Sequence, residues 1–161
     1  MKYRPERLVI EKEVGDSPLV KKVLATLPDT PVDWVDRVQE NADGENGSFL
    51  EIVKFRGKFI KPCPGTRFYN CCGYQILNLG IQCSLGCTYC ILQTYFTSPN
   101  LRLFANLSDA LQQLTEHLNN SPKQIHRIGT GEFTDSLLLD PLIHLSEHLV
   151  PFFAVQPRTV L

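Results

Sequence analysis

The first sixty residues alternate between strand-like and helix-like spacing of apolar side chains. Residues 7–14 carry branched apolar side chains and predict a strand, and Pro18 opens a stretch with helical apolar spacing. A second strand is predicted at 32–38, and 49–60 predict a strand or hairpin with a turn near Gly57. The polar residues 41–48 between them predict a loop. We therefore expect an N-terminal α/β region over residues 1–61.

The remainder of the chain, residues 62–161, has a simpler alternation. Prolines and glycines make 62–74 irregular, after which strands are predicted at 75–80, 124–129 and 151–155. Between them lie a loop at 81–90, a helix capped by Ser108 and a helix that begins at Asp140 and Pro141. Strands that alternate with helices are typical of a parallel sheet wound in right-handed units.

Composition narrows the class of protein. The chain has 161 residues, 43% of them hydrophobic and 20% charged, with a net charge of -1. This composition disfavours disorder and gives no overall attraction to nucleic acid or membranes. The apolar run at 149–155 is far shorter than the roughly 20 residues of a membrane helix, and the polar first residues do not resemble a signal peptide. We expect a cytoplasmic protein that has no membrane partner and whose cysteines are reduced or metal-bound.

One segment has a local excess of positive charge that allows two interpretations. No acidic residue lies between Ile52 and Arg67, while the segment carries several basic side chains, which are Lys54, Arg56, Lys58, Lys61 and Arg67. A solvated charged face and a small phosphate-contacting patch both fit this pattern.

The cysteines are the most informative residues. All six lie within a short stretch, at positions 63, 71, 72, 83, 87 and 90, and such clustering favours metal binding or catalysis over a disulfide framework. Cys83, Cys87 and Cys90 follow a predicted strand with gaps of three and two residues. Soft thiolates select iron–sulfur clusters, zinc or Cu(I). Three such ligands can each hold one corner of a 4Fe–4S cluster and leave the fourth iron open.

The other candidate ligands carry weaker signals. One or two of Cys63, Cys71 and Cys72 are expected to be buried as small hydrophobic residues, and the alternative is that one serves as a redox or hydrogen-donor thiol near the cluster. His144 and His148 have a spacing that can bind metal, but no further ligand is in register with them, so a surface helix is expected.

The cysteine loop identifies a family resemblance. The pattern C-x3-C-x2-C with Tyr89 before its last cysteine resembles the radical S-adenosylmethionine (radical SAM) superfamily. The following stretch CILQTYFTSPNLRLFANLSDAL resembles the spore photoproduct lyase family and its relatives, in which an Arg- and Asn-containing strand precedes a helix. The blocks RLVIEKEV, PCPGT and CCGYQILNLG extend the resemblance over nearly the whole chain.

The resemblance implies a fold and a chemistry. The fold is α/β, an N-terminal α/β region followed by the first half of a partial (β/α)6 radical SAM barrel. Cys83, Cys87 and Cys90 would ligate a 4Fe–4S cluster, and S-adenosylmethionine would be cleaved reductively for radical chemistry, with an electron from an external one-electron reductant. The remaining cofactor-binding residues would be Tyr89 near the adenine and Thr130, Gly131 and Glu132 near the methionine amino group.

Two departures from the lyases leave the substrate open. The lyases carry a hydrogen-donor cysteine where this chain has Glu132, and a tyrosine where it has Ile91. The substrate of the lyases is a thymine dimer in DNA, and DNA is carried over here as a candidate only.

Two alternatives to the enzyme remain at this point. The first is a non-catalytic iron–sulfur or zinc-binding protein with a fourth ligand from Cys63, Cys71 or Cys72. The second is an inactive truncated fragment, because residues from 75 onward predict only three of about six barrel strands. A second polypeptide that completes the barrel is the corresponding partner.

Overall fold

The computed structural model describes residues 3–39, 48–65, 67–68 and 70–161. The predicted loop at 41–48 therefore lies outside the described residues except for Ser48, as does Thr66 of the PCPGT block. In chain order the elements are β1 (Arg7–Glu11), α1 (Pro18–Thr26), β2 (Val32–Val35), β3 (Phe49–Val53), β4 (Ile60–Pro62), β5 (Tyr74–Leu77), β6 (Gly80–Ile81), β7 (Leu101–Phe104), α2 (Leu107–Asn120), β8 (His126–Gly129), α3 (Asp140–Ile143), α4 (Leu145–Ala154) and β9 (Thr159–Val160). Short 3-10 turns occupy Lys12–Val14 and Ile91–Thr94.

The first sheet is built mainly from the N-terminal strands. Its order is β2-β1-β3-β7-β6, with parallel pairs from β2 to β7 and an antiparallel β6 at one edge. Alternate apolar residues of β1 and β3 are fully buried, as expected for strands that are covered by helices. Helix α1 begins where predicted, with Pro18 in its first turn and the Ser17 hydroxyl accepting a hydrogen bond from Val20 N.

The second sheet is built from strands that all lie after β3 in the chain. Its order is β4-β5-β8-β9, with β4 antiparallel to β5 and the other pairs parallel. Residues 49–60 do not form a hairpin, because β3 and β4 belong to different sheets. The strand pairing also crosses residue 62, since β7 returns to pair with β3 of the first sheet. The division of the chain at that residue stays a prediction.

The strand predicted at 151–155 is wrong. Residues 151–154 continue α4, Val155 follows its end, and the next strand is Thr159–Val160. Leu145, Leu149 and Phe153 are each less than 10% exposed and repeat every four residues, so they extend one buried helical stripe. Pro151 lies on the exposed side of this helix. The short apolar run around it fits the two-residue period of a strand as well as the 3.6-residue period of a helix.

The predicted cap of α2 is wrong, and the helix that begins at Asp140 as predicted is shorter than expected. Helix α2 is preceded by Asn106 rather than capped by Ser108, which lies inside the helix. The Asn106 amide instead accepts from Phe55 N at 2.9 Å and donates to Phe55 O at 3.0 Å. The helix expected from Asp140 is interrupted at His144, whose φ of 53° is left-handed. The Asp140 carboxylate then accepts from Ser146 N at 2.7 Å and supports the start of α4.

The basic segment is partly neutralised by neighbouring acids. Lys54 and Arg56 both bind Glu13, and Arg56 also binds the buried carboxylate of Glu11 at 3.1 Å. Backbone N–H groups of Lys54 and Val38 donate to Glu11 as well. Lys54 and Arg56 are therefore held in an ion-pair network, which removes them from the phosphate-contacting interpretation.

A second buried ion pair ties β3 to β7. Glu51 is 1% exposed and accepts from Arg102 Nε at 2.6 Å and from Asn100 Nδ2 at 3.1 Å. A buried carboxylate requires such partners, because it cannot recover its lost hydration otherwise.

No helix in the described part of the chain is both long and apolar enough to cross a membrane.

Arg102→Ala is expected to destabilise the fold by about 3–5 kcal/mol, since it leaves the buried Glu51 carboxylate without its cation. Urea unfolding followed by circular dichroism measures this change. The matched control is Arg7→Ala, which removes a half-exposed pair with Asp33 and is expected to cost no more than about 1 kcal/mol. Equal losses for the two variants would contradict the assignment.

A histidine pair between α2 and β8 predicts a pH dependence of stability. The rings of His117 and His126 lie 5.4 Å apart, and His117 Nε2 is buried without a hydrogen-bond partner among the described residues. Burial, and to a lesser extent the charge of His126, lowers the pKa of His117. The unfolded chain then binds more protons than the folded chain below about pH 6.5, so stability is lost as pH falls through that value.

His117→Gln is expected to flatten this loss of stability between about pH 6.5 and pH 5. The measurement is the free energy of unfolding at a series of pH values. His148→Gln, at an exposed histidine, serves as the control and is expected to leave the slope unchanged. A wild-type slope in His117→Gln would argue against the histidine pair.

Candidate cluster and cofactor site

The cysteine loop leaves the first sheet directly after β6. Gly80 of β6 lies close to the backbone of β7, because a Cβ at this position would come within 2.8 Å of Arg102 O. At the start of the loop, Gln82 donates through Nε2 to Ser98 O at 2.9 Å and accepts from Cys83 N. The first bond ties the beginning of the loop to the segment that follows it, and the second orders the backbone at Cys83.

The interior of the loop is shaped by one glycine and one short turn. Gly86 has a φ of 60°, a conformation that residues with a Cβ rarely adopt. Cys90 N donates to Cys87 O at 3.0 Å, and Gln93 Nε2 donates to the same carbonyl at 2.7 Å. The backbone between the second and third cysteines is therefore closed into a turn, and all three thiols are free.

The structure brings the cysteine loop and the segment after β8 to one cavity. Strands β5 and β8 are parallel neighbours, so the segments after their carboxyl ends lie at the same edge of the second sheet. A cavity of about 180 Å³ is lined by Cys83, Cys87 and Cys90 on one side and by Gly131 and Glu132 on the other. Residues far apart in sequence thus line one small cavity.

Two predicted cofactor residues lie outside this cavity. Tyr89 is 89% exposed and does not line it. Thr130 lines a neighbouring cavity of about 580 Å³ and donates from its hydroxyl to Ser136 Oγ at 2.7 Å. Gly131 and Glu132 line both cavities, so they connect the cysteines to the larger space. The roles of these residues stay predictions.

The chemistry of the lining fits a cluster and a charged ligand. Among the described residues, no three His, Cys, Asp or Glu side chains converge on a position for a single metal ion. A 4Fe–4S cluster does not require such convergence, because each thiolate binds a different iron. Thr134 also lines the cavity, and its Oγ1 is buried without a hydrogen-bond partner in the described structure. An orphaned hydroxyl of this kind fits a cavity that receives a polar group.

Glu132 combines partial burial with a nearby cation. Burial raises the pKa of its carboxyl above the ordinary value, and the positive charge of Lys61 on β4 partly opposes that rise. A carboxylate in this setting gains from a second cation within the cavity. Glu132 and Asp135 are the two acidic side chains among the described residues that line the cavity with the three cysteines.

Sequence analysis missed the wall of the larger cavity. Tyr74 and Ile76 of β5 line it together with Arg127 of β8, as does Cys63 next to β4. Period-two alternation along β5 places Tyr74 and Ile76 on one face, which was a sequence signal for this wall.

Cys71 and Cys72 are exposed, so their interpretation as buried small residues is wrong.

Tyr74 also explains why β8 ends in glycine. A Cβ on Gly129 would overlap the Tyr74 hydroxyl, so the ring packs directly on the backbone of the neighbouring strand. The glycine here allows the two strands to approach closely rather than forming a turn.

The two histidines with metal-like spacing lie outside this cavity wall. His144 pairs with Glu147 at 2.7 Å, and His148 is exposed.

Several solved structures of spore photoproduct lyase have a similar fold. A lyase mutant with bound AdoMet and dinucleoside spore photoproduct superposes with a TM-score of 0.81 at 20% identity, over 99% of this chain and 49% of that chain. A lyase complexed with dinucleoside spore photoproduct gives a TM-score of 0.79 at 21% identity, again over 99% and 49%.

The chain has the fold of about half of the spore photoproduct lyase chain. This confirms the predicted fold class, a mixed α/β protein with parallel sheets that matches part of a radical SAM (β/α) fold. The chain spans about half the length of the solved chains it matches. No protein-family profile matches the chain. No curated protein sequence matches it either.

Gly129→Ala is expected to destabilise the lyase-like fold by about 1–3 kcal/mol, because the added methyl group must displace the Tyr74 ring. Thermal or urea unfolding measures the loss. In a Tyr74→Ala background the same substitution is expected to cost clearly less, since the overlapping ring is gone. An equal cost in both backgrounds would show that the contact is not responsible.

Proposed function

We propose that the chain is a radical SAM protein of the spore photoproduct lyase-like kind. Its reaction would be the cluster-dependent reductive cleavage of S-adenosylmethionine. The observation that carries the proposal is the single cavity in which the three cysteines of the C-x3-C-x2-C loop face Gly131 and Glu132. Bound AdoMet in a solved structure of the same fold supports the choice of cofactor.

The three cysteines are the proposed ligands of a 4Fe–4S cluster. They belong to one loop whose backbone is held by Gln82 and Gln93, so the thiolates do not need to be assembled from distant elements. A cluster held by these cysteines would supply the one-electron reduction that cleaves S-adenosylmethionine.

The opposite wall is the proposed site for the amino acid end of S-adenosylmethionine. Glu132 accepts hydrogen bonds from the protonated amine, and charge-assisted bonds of this kind are stronger than neutral ones. Gly131 packs against the chain itself, because a Cβ there would lie 3.0 Å from Ser136 Oγ, so a larger residue would disturb the segment that holds Glu132. Thr134 donates its free hydroxyl proton to a carboxylate or another acceptor.

Aromatic side chains close one side of this space. Phe96 and Phe133 line the cysteine cavity, with ring centroids 6.4 Å apart. Their apolar faces exclude water, which protects a reactive radical from side reactions. Tyr89 is proposed to contact the adenine from the outer side of the loop, where it is exposed.

Partners and substrate follow from the same proposal. Each cleavage consumes one electron, so an external one-electron reductant is required, and the cytoplasm is the proposed compartment because it keeps thiols reduced. DNA is the candidate substrate that the resemblance supplies.

Val160 of β9 lies exposed on the edge strand of the second sheet, and a second polypeptide that pairs with this edge is the proposed structural partner.

The decisive experiment is anaerobic reconstitution of the chain with iron and sulfide, followed by S-adenosylmethionine and dithionite. We expect roughly four irons per chain and reductant-dependent release of 5′-deoxyadenosine, measured by chromatography. A variant with Cys83→Ala, Cys87→Ala and Cys90→Ala is expected to lose both. Cluster formation without any cleavage product would overturn the proposed activity.

The matched control replaces the three upstream cysteines, Cys63, Cys71 and Cys72, with alanine. Under the proposal this variant keeps its iron and its characteristic absorption. Loss of the metal from the control variant would instead support a non-catalytic iron–sulfur or zinc protein with a fourth cysteine ligand. Cys63 is the first to test singly, because it lines the cavity that adjoins Gly131 and Glu132.

A further inference from the structure

We propose that the larger cavity, of about 580 Å³, holds its ligand through a carboxylate group that is bound by Arg127 and Tyr74. The ligand is then an apolar carboxylic acid in its ionised form. The inference rests on the proposed function, because it names the substrate class of the space that adjoins the cysteine cavity. Its two binding groups are distinct from the proposed cofactor site, since neither of them lines the cysteine cavity.

Strand register brings the two binding groups together. Tyr74 of β5 and Arg127 of β8 are directly opposite each other in the parallel pair. Opposed residues project from the same face of a sheet, and both side chains line the larger cavity. Val160 of β9 continues the same row, because it is opposite Arg127. One wall of the cavity therefore carries a cation and a phenol hydroxyl on neighbouring strands.

Both groups lack a partner in the part of the chain that the structure describes. Arg7, Arg56 and Arg102 each bind an acidic side chain. The guanidinium of Arg127 has no ion pair or hydrogen bond among the described residues, and the hydroxyl of Tyr74 has no hydrogen bond there. The planar fork of arginine donors matches a carboxylate, and a hydroxyl can donate to the same group. The two groups thus form a donor set suited to a planar oxyanion.

The charge of the lining favours a ligand with one negative charge. Among the described residues, Arg127 and Glu132 are the two charged side chains that line this cavity. A phosphate monoester carries nearly two negative charges at neutral pH, so one of them would stay unbalanced in a cavity that already holds a carboxylate. A carboxylate carries one negative charge, and Arg127 balances it.

The place of Arg127 along its strand separates this group from the cysteines. Arg127 lies two residues before Gly129, where β8 ends, and each strand residue advances about 3.3 Å. Glu132 follows three residues later and lines the cysteine cavity as well. A carboxylate at Arg127 therefore allows the rest of the ligand to extend toward Glu132 and the cysteines.

The walls between these two ends are mainly apolar. Ile76 of β5 and both Leu149 and Val150 of α4 line the cavity. Its volume of about 580 Å³ lies within the usual range of about 300–1,000 Å³ for small-molecule sites. A hydrocarbon or aromatic body with a single carboxylate fits this combination of walls and donors.

The test uses 4-phenylbutyrate as the probe and the neutral 4-phenylbutyramide as the matched ligand. Binding to the full chain is measured by NMR titration at low salt, with and without a reconstituted cluster. We expect the acid to bind about fivefold or more tightly than the amide, because only the acid forms charge-assisted bonds with Arg127. Absence of binding, or equal binding of both compounds, would overturn the proposal. Tighter binding of phenethyl phosphate than of 4-phenylbutyrate would overturn it in favour of a phosphate ligand.

Variants locate the carboxylate within the cavity. Arg127→Gln is expected to abolish the difference between the acid and the amide, whereas Arg127→Lys keeps the charge and is expected to retain part of it. Tyr74→Phe removes only the hydroxyl and is expected to weaken binding of the acid about twofold to threefold. The matched control is Arg7→Gln, at an arginine of the first sheet that does not line the cavity, and it is expected to leave binding unchanged. An unchanged difference in Arg127→Gln would place the ligand elsewhere and overturn the assignment.

The same measurements separate this proposal from the radical chemistry. Selective binding of the acid without release of 5′-deoxyadenosine would support the carboxylate site and overturn the proposed function alone. Release of 5′-deoxyadenosine without selective binding would overturn the carboxylate site alone.

Discussion

The parallel pairing of β5 with β8 is the constraint on which the candidate site depends. Ile76 lies opposite Gly129 in this pair, and the Tyr74 ring packs on the glycine backbone, so the two strands are held at a close distance. Parallel neighbours end at the same edge, which brings Cys83, Cys87 and Cys90 to the segment that follows β8. Without that pairing, the cysteines and Glu132 would be independent features of two loops.

The position of the cysteine loop also depends on the first sheet. After β5 the chain leaves the second sheet, forms β6 and returns through β7 to pair with β3. The buried Glu51 carboxylate, with Arg102 and Asn100, joins β3 to this returning strand. The loop is therefore anchored between two sheets.

Sequence reasoning was most accurate where local chemistry decides structure. Pro18 after Ser17 predicted the start of α1, and the cysteine spacing predicted a loop directly after a strand. It was wrong for 151–155, because a short apolar run fits the period of a strand and that of a helix equally well. The buried side chains of Leu145, Leu149 and Phe153, spaced four residues apart, decide for the helix. It also did not separate β3 from β4, since sheet membership depends on contacts with β7 and β5 that are remote in sequence.

The sequence by itself determined the donor set of three closely spaced thiols, the glycine that shapes their loop and the alternation of strands and helices. These features depend on residue type and local spacing, which can be read from the sequence without knowledge of the fold. Tertiary structure decided that Gly131 and Glu132 share the cysteine cavity while Tyr89 lies outside it, and that Lys54 and Arg56 bind acids rather than remain free. Those outcomes required strand pairing and burial across long separations, where the cost of unpaired charge and the exclusion of water select one arrangement.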